Sequence, residues 1–299
     1  MYEKLRNFFG RTVRRHGEPS PWDGVTAQLD SLKHNAGVST DLLDRLGQNI
    51  SYQYIDTIIA QNEKYRDSRC VSGAYGQVFS QNNEDGIISE IFRRIGVDTK
   101  AFIEIAAGDG IENTTRLLLE TGWKGIWVES GAREVDSISH AAKSHIESGA
   151  LLVLPEHISL ENIEDKLISK IDFVPDYISV DIDYNTSHVW RRLTSLRPRL
   201  FCVEYNSHYP PSLAYEVPYS KHESWQGSTK FGASLKALEI IGRENGYSLV
   251  GCDIFGVNAF FVRDDLCNAE VFLPPFTAEN HYEPPRFSAV RMSGHRRSL

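Results

Sequence analysis

From about residue 76 the chain alternates short apolar runs with segments of helical periodicity. Apolar runs at 101–106, 125–129, 151–154, 177–182, 200–204, 247–252 and 257–262 predict seven strands, each bounded by small or polar residues. Between them, helical spacing predicts helices over 113–120, where Leu117, Leu118 and Leu119 turn inward in part, and over 133–146, 161–170 and 233–245. Strands alternating with helices at this spacing imply an α/β fold, with a mostly parallel seven-stranded sheet covered on both faces. Only Asp253-Ile254-Phe255-Gly256 separates the last two runs. That is too short for a crossover, so they form an antiparallel hairpin.

Residues 1–75 read differently and predict a helical N-terminal extension ahead of a main domain at 76–265 and a tail at 266–299. Leu42, Leu43, Leu46, Ile50, Tyr54 and Ile58 recur at helical spacing over 41–60, with Ser39-Thr40-Asp41 placed to cap the helix. Pro19-Ser20-Pro21-Trp22-Asp23-Gly24 is a turn-rich break upstream of it. The extension is expected to pack on the main domain or on a second copy, which leaves a homodimer open.

At 299 residues the chain can bury a core without a metal or disulfide staple. Its four cysteines, Cys70, Cys202, Cys252 and Cys267, form no CxxC pair. They are expected to be reduced and structural, in a cytoplasmic protein. A net charge of -8 argues against a nucleic-acid partner. The basic clusters Arg11-Thr12-Val13-Arg14-Arg15-His16 and His295-Arg296-Arg297 read as solvated ends. The N-terminus lacks a continuous apolar core, so no signal peptide is expected. No apolar run is long enough for a transmembrane segment.

Glu104-Ile105-Ala106-Ala107-Gly108-Asp109-Gly110 closes the first strand and opens toward a helix. In open α/β sheets ligands bind outside the carboxyl ends of strands. Gly108 and Gly110 allow close backbone approach there. The third glycine of a dinucleotide fingerprint is missing, which argues against a nicotinamide oxidoreductase. Glu129 ends the second strand about twenty residues later, where an acid accepts hydrogen bonds from ribose hydroxyls. These residues indicate a Rossmann-like site for a nucleotide-like ligand.

Ser80-Gln81-Asn82-Asn83-Glu84-Asp85-Gly86, the run from Phe102 to Gly110, Asn113-Thr114 and Gly122-Trp123-Lys124-Gly125 together resemble the FkbM-type methyltransferases, over roughly residues 76–263. Those enzymes transfer a methyl group from S-adenosylmethionine (SAM) to oxygen, often in the biosynthesis of bacterial surface polysaccharides or glycosylated natural products. The resemblance implies SAM as cofactor, with Gln81, Glu84, Glu104, Ala106, Gly108, Asp109, Gly110, Asn113 and Glu129 around it. It also implies the parallel core with a closing hairpin. The family turn usually has Gly where this chain has Ala106, a replacement that fits if its φ is negative.

A third constellation is Asp181-Ile182-Asp183-Tyr184-Asn185 with His188, beside Glu204, Asn206 and His208. On a strand Asp181 and Asp183 share a side, and such carboxylates repel unless a cation, a proton or a donor relieves them. Asp181, Asp183 and Glu204 are hard oxygen ligands for Mg²⁺ or Mn²⁺, and His188 or His208 is a candidate base. The bland alternative pairs Asp181 and Glu204 with backbone amides or with Arg191 and Arg199. The cluster is similar to that of the mycinamicin-type sugar O-methyltransferases, which implies a metal-acidified sugar hydroxyl attacking the SAM methyl, with Asp181, His188 and His208 as catalytic candidates. The aromatic loop from Tyr205 to Trp225 suits a sugar or glycan acceptor. Asn258, amid apolar neighbours, is expected to bond within the sheet. A non-catalytic scaffold is the remaining alternative, and the polar strand ends argue against it.

Overall fold

The computed structural model describes residues 23–287. The two basic clusters and residues 19–22 of the turn-rich break lie outside the described residues. There are two compact units, one ending at Gln53 and one beginning at Tyr54. Helix α1 (Asp23–Gln61) runs through the first and ends in the second. It starts well before the cap expected at 39–41. Ser39 Oγ donates to the Asn35 carbonyl at 2.9 Å and Thr40 Oγ1 to the Ala36 carbonyl at 3.0 Å. Bonding back to residue i−4 satisfies both hydroxyls inside a continuous helix, so neither terminates it. Leu42, Leu43, Leu46 and Ile50 are exposed along it.

The second unit is built on a seven-stranded sheet in the order β3-β2-β1-β4-β5-β7-β6. Its strands are β1 (Ala101–Ile105), β2 (Lys124–Val128), β3 (Leu151–Leu154), β4 (Tyr177–Val180), β5 (Leu200–Glu204), β6 (Tyr247–Cys252) and β7 (Asn258–Arg263). The first five are parallel to one another. Strand β7 runs antiparallel to both β5 and β6, as the short connection requires. Asp253 shapes that hairpin: its carboxylate accepts the backbone amides of Phe255 at 2.7 Å, Val257 at 3.0 Å and Asn258.

Both faces of the sheet are covered. Ile103 and Ile105 pack with Trp190 and Leu193 of α7 (Thr186–Leu193) and Leu238 of α8 (Leu235–Glu244). On the other face Phe102 packs with Ile87, Ile88 and Ile91 of α2 (Glu84–Ile95), Leu119 of α3 (Arg116–Glu120) and Ile138 of α4 (Ala132–Ala141). Each such buried side chain contributes about 1.5–3 kcal/mol relative to its exposed state.

The apolar spacing does not predict two of these helices, α2 and α7, because their polar first turns belong to the Glu84-Asp85-Gly86 and Asp181–His188 motifs. The helix expected at 133–146 breaks at Ala142 (φ −115°), giving α4 and α5 (Lys143–Glu147). The one expected at 161–170 reduces to α6 (Ile163–Lys166) and a 3-10 turn at Ile168–Lys170, because Leu167 leaves helical geometry (φ −127°, ψ −66°) as it enters the core. The segment 266–287, read as part of a tail, carries the buried side chains Phe272, Ala278, His281 and Glu283. Its helix α9 (Ala278–His281) is held by the Ala278 amide, which donates to Glu239 Oε2 at 2.8 Å. The four cysteines are unpaired. Among the described residues no helix is long and apolar enough to cross a membrane.

Candidate functional site

Strand order reverses between β1, which leads out to β2 and β3, and β4, which leads to β5. A ligand crevice is expected at such a switch, outside the carboxyl ends of the strands. A cavity of about 300 Å³ lies there, walled by Glu104, Ala106, Gly108, Asp109 and Asn113 from the β1 side and by Ser179 and Asp181 from the β4 side. Gln81, Glu112 and Asn258 also line it. Among the described residues four of those lining it are carboxylates and none is Lys or Arg.

Glu104 points into the same face as Phe102 and is buried. Its carboxylate accepts Thr114 Oγ1 at 2.9 Å, the Thr114 amide at 3.0 Å, Asn113 Nδ2 at 3.2 Å and Thr115 Oγ1. Burial pushes this carboxyl up, against those hydrogen bonds. Asn113 also donates to the Ala107 carbonyl at 2.6 Å, while its Oδ1 is buried without a partner. The turn itself departs from expectation at Ala106, whose φ is +61° rather than negative. The backbone holds there the left-handed geometry that a glycine would adopt without penalty. Gly108 (φ +58°) donates its amide to Glu129 Oε2 at 2.8 Å, and Glu129 Oε1 accepts the Gly131 amide at 2.8 Å. Glu129 therefore braces the glycine turn from β2 and is not among the cavity-lining residues. Gly110 faces Ile138 and Trp127 instead of the cavity.

The lead-in before α2 divides its roles. Asp85 Oδ2 accepts the amides of Val78, Phe79 and Ser80 at 2.7–2.8 Å, which folds the segment back onto the helix start. Gln81 reaches the cavity. Glu84 does not line it; it is buried, accepting the Asn82 amide at 2.6 Å and Asn258 Nδ2 at 2.8 Å.

Asp181, Asp183 and Glu204 do converge: one carboxylate oxygen from each lies within 4.8 Å of the others. The route differs from simple strand alternation. Strand β4 stops at Val180, and Asp183 turns back through φ +58°. Among the described residues no arginine pairs with the group. Arg191 pairs with Glu216 at 2.7 Å, and Arg199 lies beside Asp176 and donates to the Gly96 carbonyl. Burial pushes Asp181 up to about 6, while its hydrogen bond to Glu204 opposes the shift. Burial, then the charges of Asp181 and Asp183, push the Glu204 carboxyl well up. Glu204 Oε2 is buried without a partner.

Neither candidate histidine lines the cavity. His188 on α7 has Nε2 against the Val217 carbonyl at 2.8 Å and Nδ1 3.6 Å from Glu216. His208 is exposed beside the Phe287 ring at 5.5 Å. Asn258, expected to bond within the sheet, pairs with Glu204 of β5, donates Nδ2 to Glu84 and also lines the cavity. Its one sequence signal was a lone amide in an apolar strand.

No family model and no curated protein matches this chain. Solved structures do. An O-methyltransferase from Bacillus cereus in complex with SAH is 14% identical, covers 74% of this chain and 100% of its own, and has a TM-score of 0.44. The methyltransferase domain of bacterial CtHen1 is 15% identical over 61% of this chain and 99% of its own, at a TM-score of 0.39. A SAM-dependent methyltransferase from Aquifex aeolicus is 11% identical over 58% and 87%, at 0.33. Likeness this distant leaves the functional reading to the strand order and the side chains.

Proposed function

We propose that this chain is a SAM-dependent O-methyltransferase of the FkbM type, with residues 76–265 as its transferase domain and a sugar or glycan hydroxyl as its acceptor. The observation that carries the reading is the cavity at the β1/β4 switch, lined by Glu104, Asp109, Glu112 and Asp181 and by no Lys or Arg among the described residues. Such a field favours a cationic sulfonium and ammonium ligand, whereas the pyrophosphate of a nicotinamide dinucleotide would meet like charge. The orphaned Asn113 Oδ1 supplies a buried acceptor for a ligand donor. Bound there, SAM brings an activated methyl group; the chain supplies the cradle, with Gly108 leaving open space and Glu129 bracing the turn.

Asp181, Asp183 and Glu204 suit a divalent ion: three hard oxygen donors, one of them a buried, unpartnered carboxylate oxygen. A bound Mg²⁺ or Mn²⁺ would supply acidification of an acceptor hydroxyl. Asp181 alone of the three lines the cavity, so it is the group placed to take the acceptor's proton. His188 and His208 stay outside this role, since neither lines the cavity. The exposed Trp225, with Phe231 against it at 5.9 Å, supports a sugar-stacking surface in the loop that follows β5. Unpaired cysteines support a reducing, cytoplasmic setting. The exposed Leu42, Leu43, Leu46 and Ile50 support a second copy as partner.

The test is incubation with methyl-tritiated SAM and a panel of sugar nucleotides and oligosaccharides, with and without a chelator. Label in a sugar fraction that is lost with EDTA and restored by Mg²⁺ is the expected result. Full activity in EDTA would remove the metal, and label in no hydroxyl-bearing acceptor would remove the sugar.

A further inference from the structure

Asn258 opens β7 and pairs directly with Glu204 across β5. Directly opposed residues of an antiparallel pair share a face, so this amide flanks the acidic cluster and lines the same cavity as Asp181. Its orientation is fixed from behind. Nδ2 donates to Glu84 Oε1 at 2.8 Å, and Glu84 is itself only 1% exposed. Glu84 is the acceptor in each of these bonds, since Asn82 also donates to it twice, from its amide at 2.6 Å and from Nδ2 at 3.1 Å. An asparagine amide whose NH₂ is tied to a carboxylate turns its carbonyl oxygen the other way. That oxygen is left for the cavity.

Asn258 lines a cavity whose charged lining side chains are all carboxylates among the described residues, a field that favours the cationic end of a ligand. Glu129 braces the glycine turn from β2, on one side of β1. Asn258 stands on β7, three strands away on the other side, roughly 14 Å from β1 at the usual strand spacing. The cavity joins the glycine turn to Asn258.

We propose that Asn258 recognises the amino-acid end of the SAM-type cofactor, accepting a hydrogen bond from its ammonium group, and that Glu84 is a positioning residue that sets the orientation of this amide. The assignment rests on the cofactor reading above and deepens it. It gives the Glu84 of the lead-in motif a function it performs without touching the ligand. A hydrogen bond to a charged donor is among the stronger ones, so its loss reads out in affinity. Glu84→Gln has a distinct consequence. To keep the Asn82 backbone amide satisfied, the new side-chain oxygen must occupy the Oε2 place, which aims the new NH₂ at the side-chain amides of Asn258 and Asn82 that donate to Oε1. Asn258 then flips, presenting a donor to the cavity in place of an acceptor.

The experiment is calorimetric titration of SAH, and separately of 5′-methylthioadenosine, which lacks the amino-acid end, into wild type, Asn258→Ala and Glu84→Gln, with a melting curve for each. SAH affinity is expected to fall about tenfold or more in both variants, the loss expected for a hydrogen bond to a charged group, while methylthioadenosine affinity is unchanged. If Asn258→Ala does not fold, Glu84→Gln, which keeps the side-chain shape, carries the same test. Unchanged SAH affinity in the variants, or equal loss for both ligands, overturns the assignment and leaves the cofactor reading standing. A wild type that binds neither ligand overturns the cofactor reading and this assignment with it.

Discussion

Ala106 holds φ +61° at the mouth of the cavity. A left-handed conformation costs an L-residue with a Cβ about 1–2 kcal/mol. Ala106→Gly relieves that strain and loses part of the gain to the greater freedom of the unfolded chain. The net expectation is stabilisation by about 0.5–1 kcal/mol, read as a rise of a few degrees in melting temperature by scanning calorimetry. A fall would mean the turn relaxes around alanine. The acidic cluster carries a larger cost. With Asp181 pushed from its ordinary 3.8 up to about 6, the native state binds more protons than the unfolded chain between those values. Stability contributed by this group is therefore full below about pH 4 and lost as pH rises through 6. Asp181→Asn should stabilise the protein by about 1–2 kcal/mol near pH 8, a difference that fades near pH 4 in urea denaturation. Mg²⁺ should raise the melting point of wild type near pH 8 and leave that of the variant unmoved. At this scale the sequence singles out Glu104, Gly108, Asp109 and Asn113, which line the cavity, and the acidic triad, whose carboxylates converge. It could not orient His188 or Asn258, because a ring or amide direction is set by partners distant in sequence, the Val217 carbonyl and Glu84.

Helix α2 shows how a motif becomes a structure. Asp85 gathers three consecutive amides, and Gly86 sits where a Cβ would lie 2.2 Å from the Ala74 carbonyl oxygen and 2.6 Å from the Gly76 nitrogen. Asp85→Asn keeps an oxygen for those donors but removes the charge that strengthens all three bonds, and should cost about 1–3 kcal/mol. Gly86→Ala meets backbone that cannot yield and should cost about 3 kcal/mol or more by denaturant midpoint. A smaller loss would show that the 74–76 turn is free to move. The strands were legible because each is a short apolar run between turn residues. Helices α2 and α7 were not, because their buried positions are interrupted by the polar residues that build the site. The connection at 253–256 was legible as a hairpin from its length alone.

The whole molecule places chemistry by topology. The sequence carried the parallel core and the closing hairpin, but not the order in which strands pair, since that depends on which crossovers pack back on which face. The observed order puts the glycine turn of β1 beside the Asp181 end of β4, and neither segment predicts that neighbour by itself. From this adjacency come the four-carboxylate cavity and the central claim, that the ligand is a cationic sulfonium cofactor and not a dinucleotide. The most direct measurement is calorimetric titration of SAM and of NAD⁺ into the purified full chain at matched, low ionic strength. The account predicts saturable one-site binding of SAM, in the micromolar range usual for substrates and cofactors, and no heat from NAD⁺. Binding of NAD⁺, or of neither ligand, would contradict it.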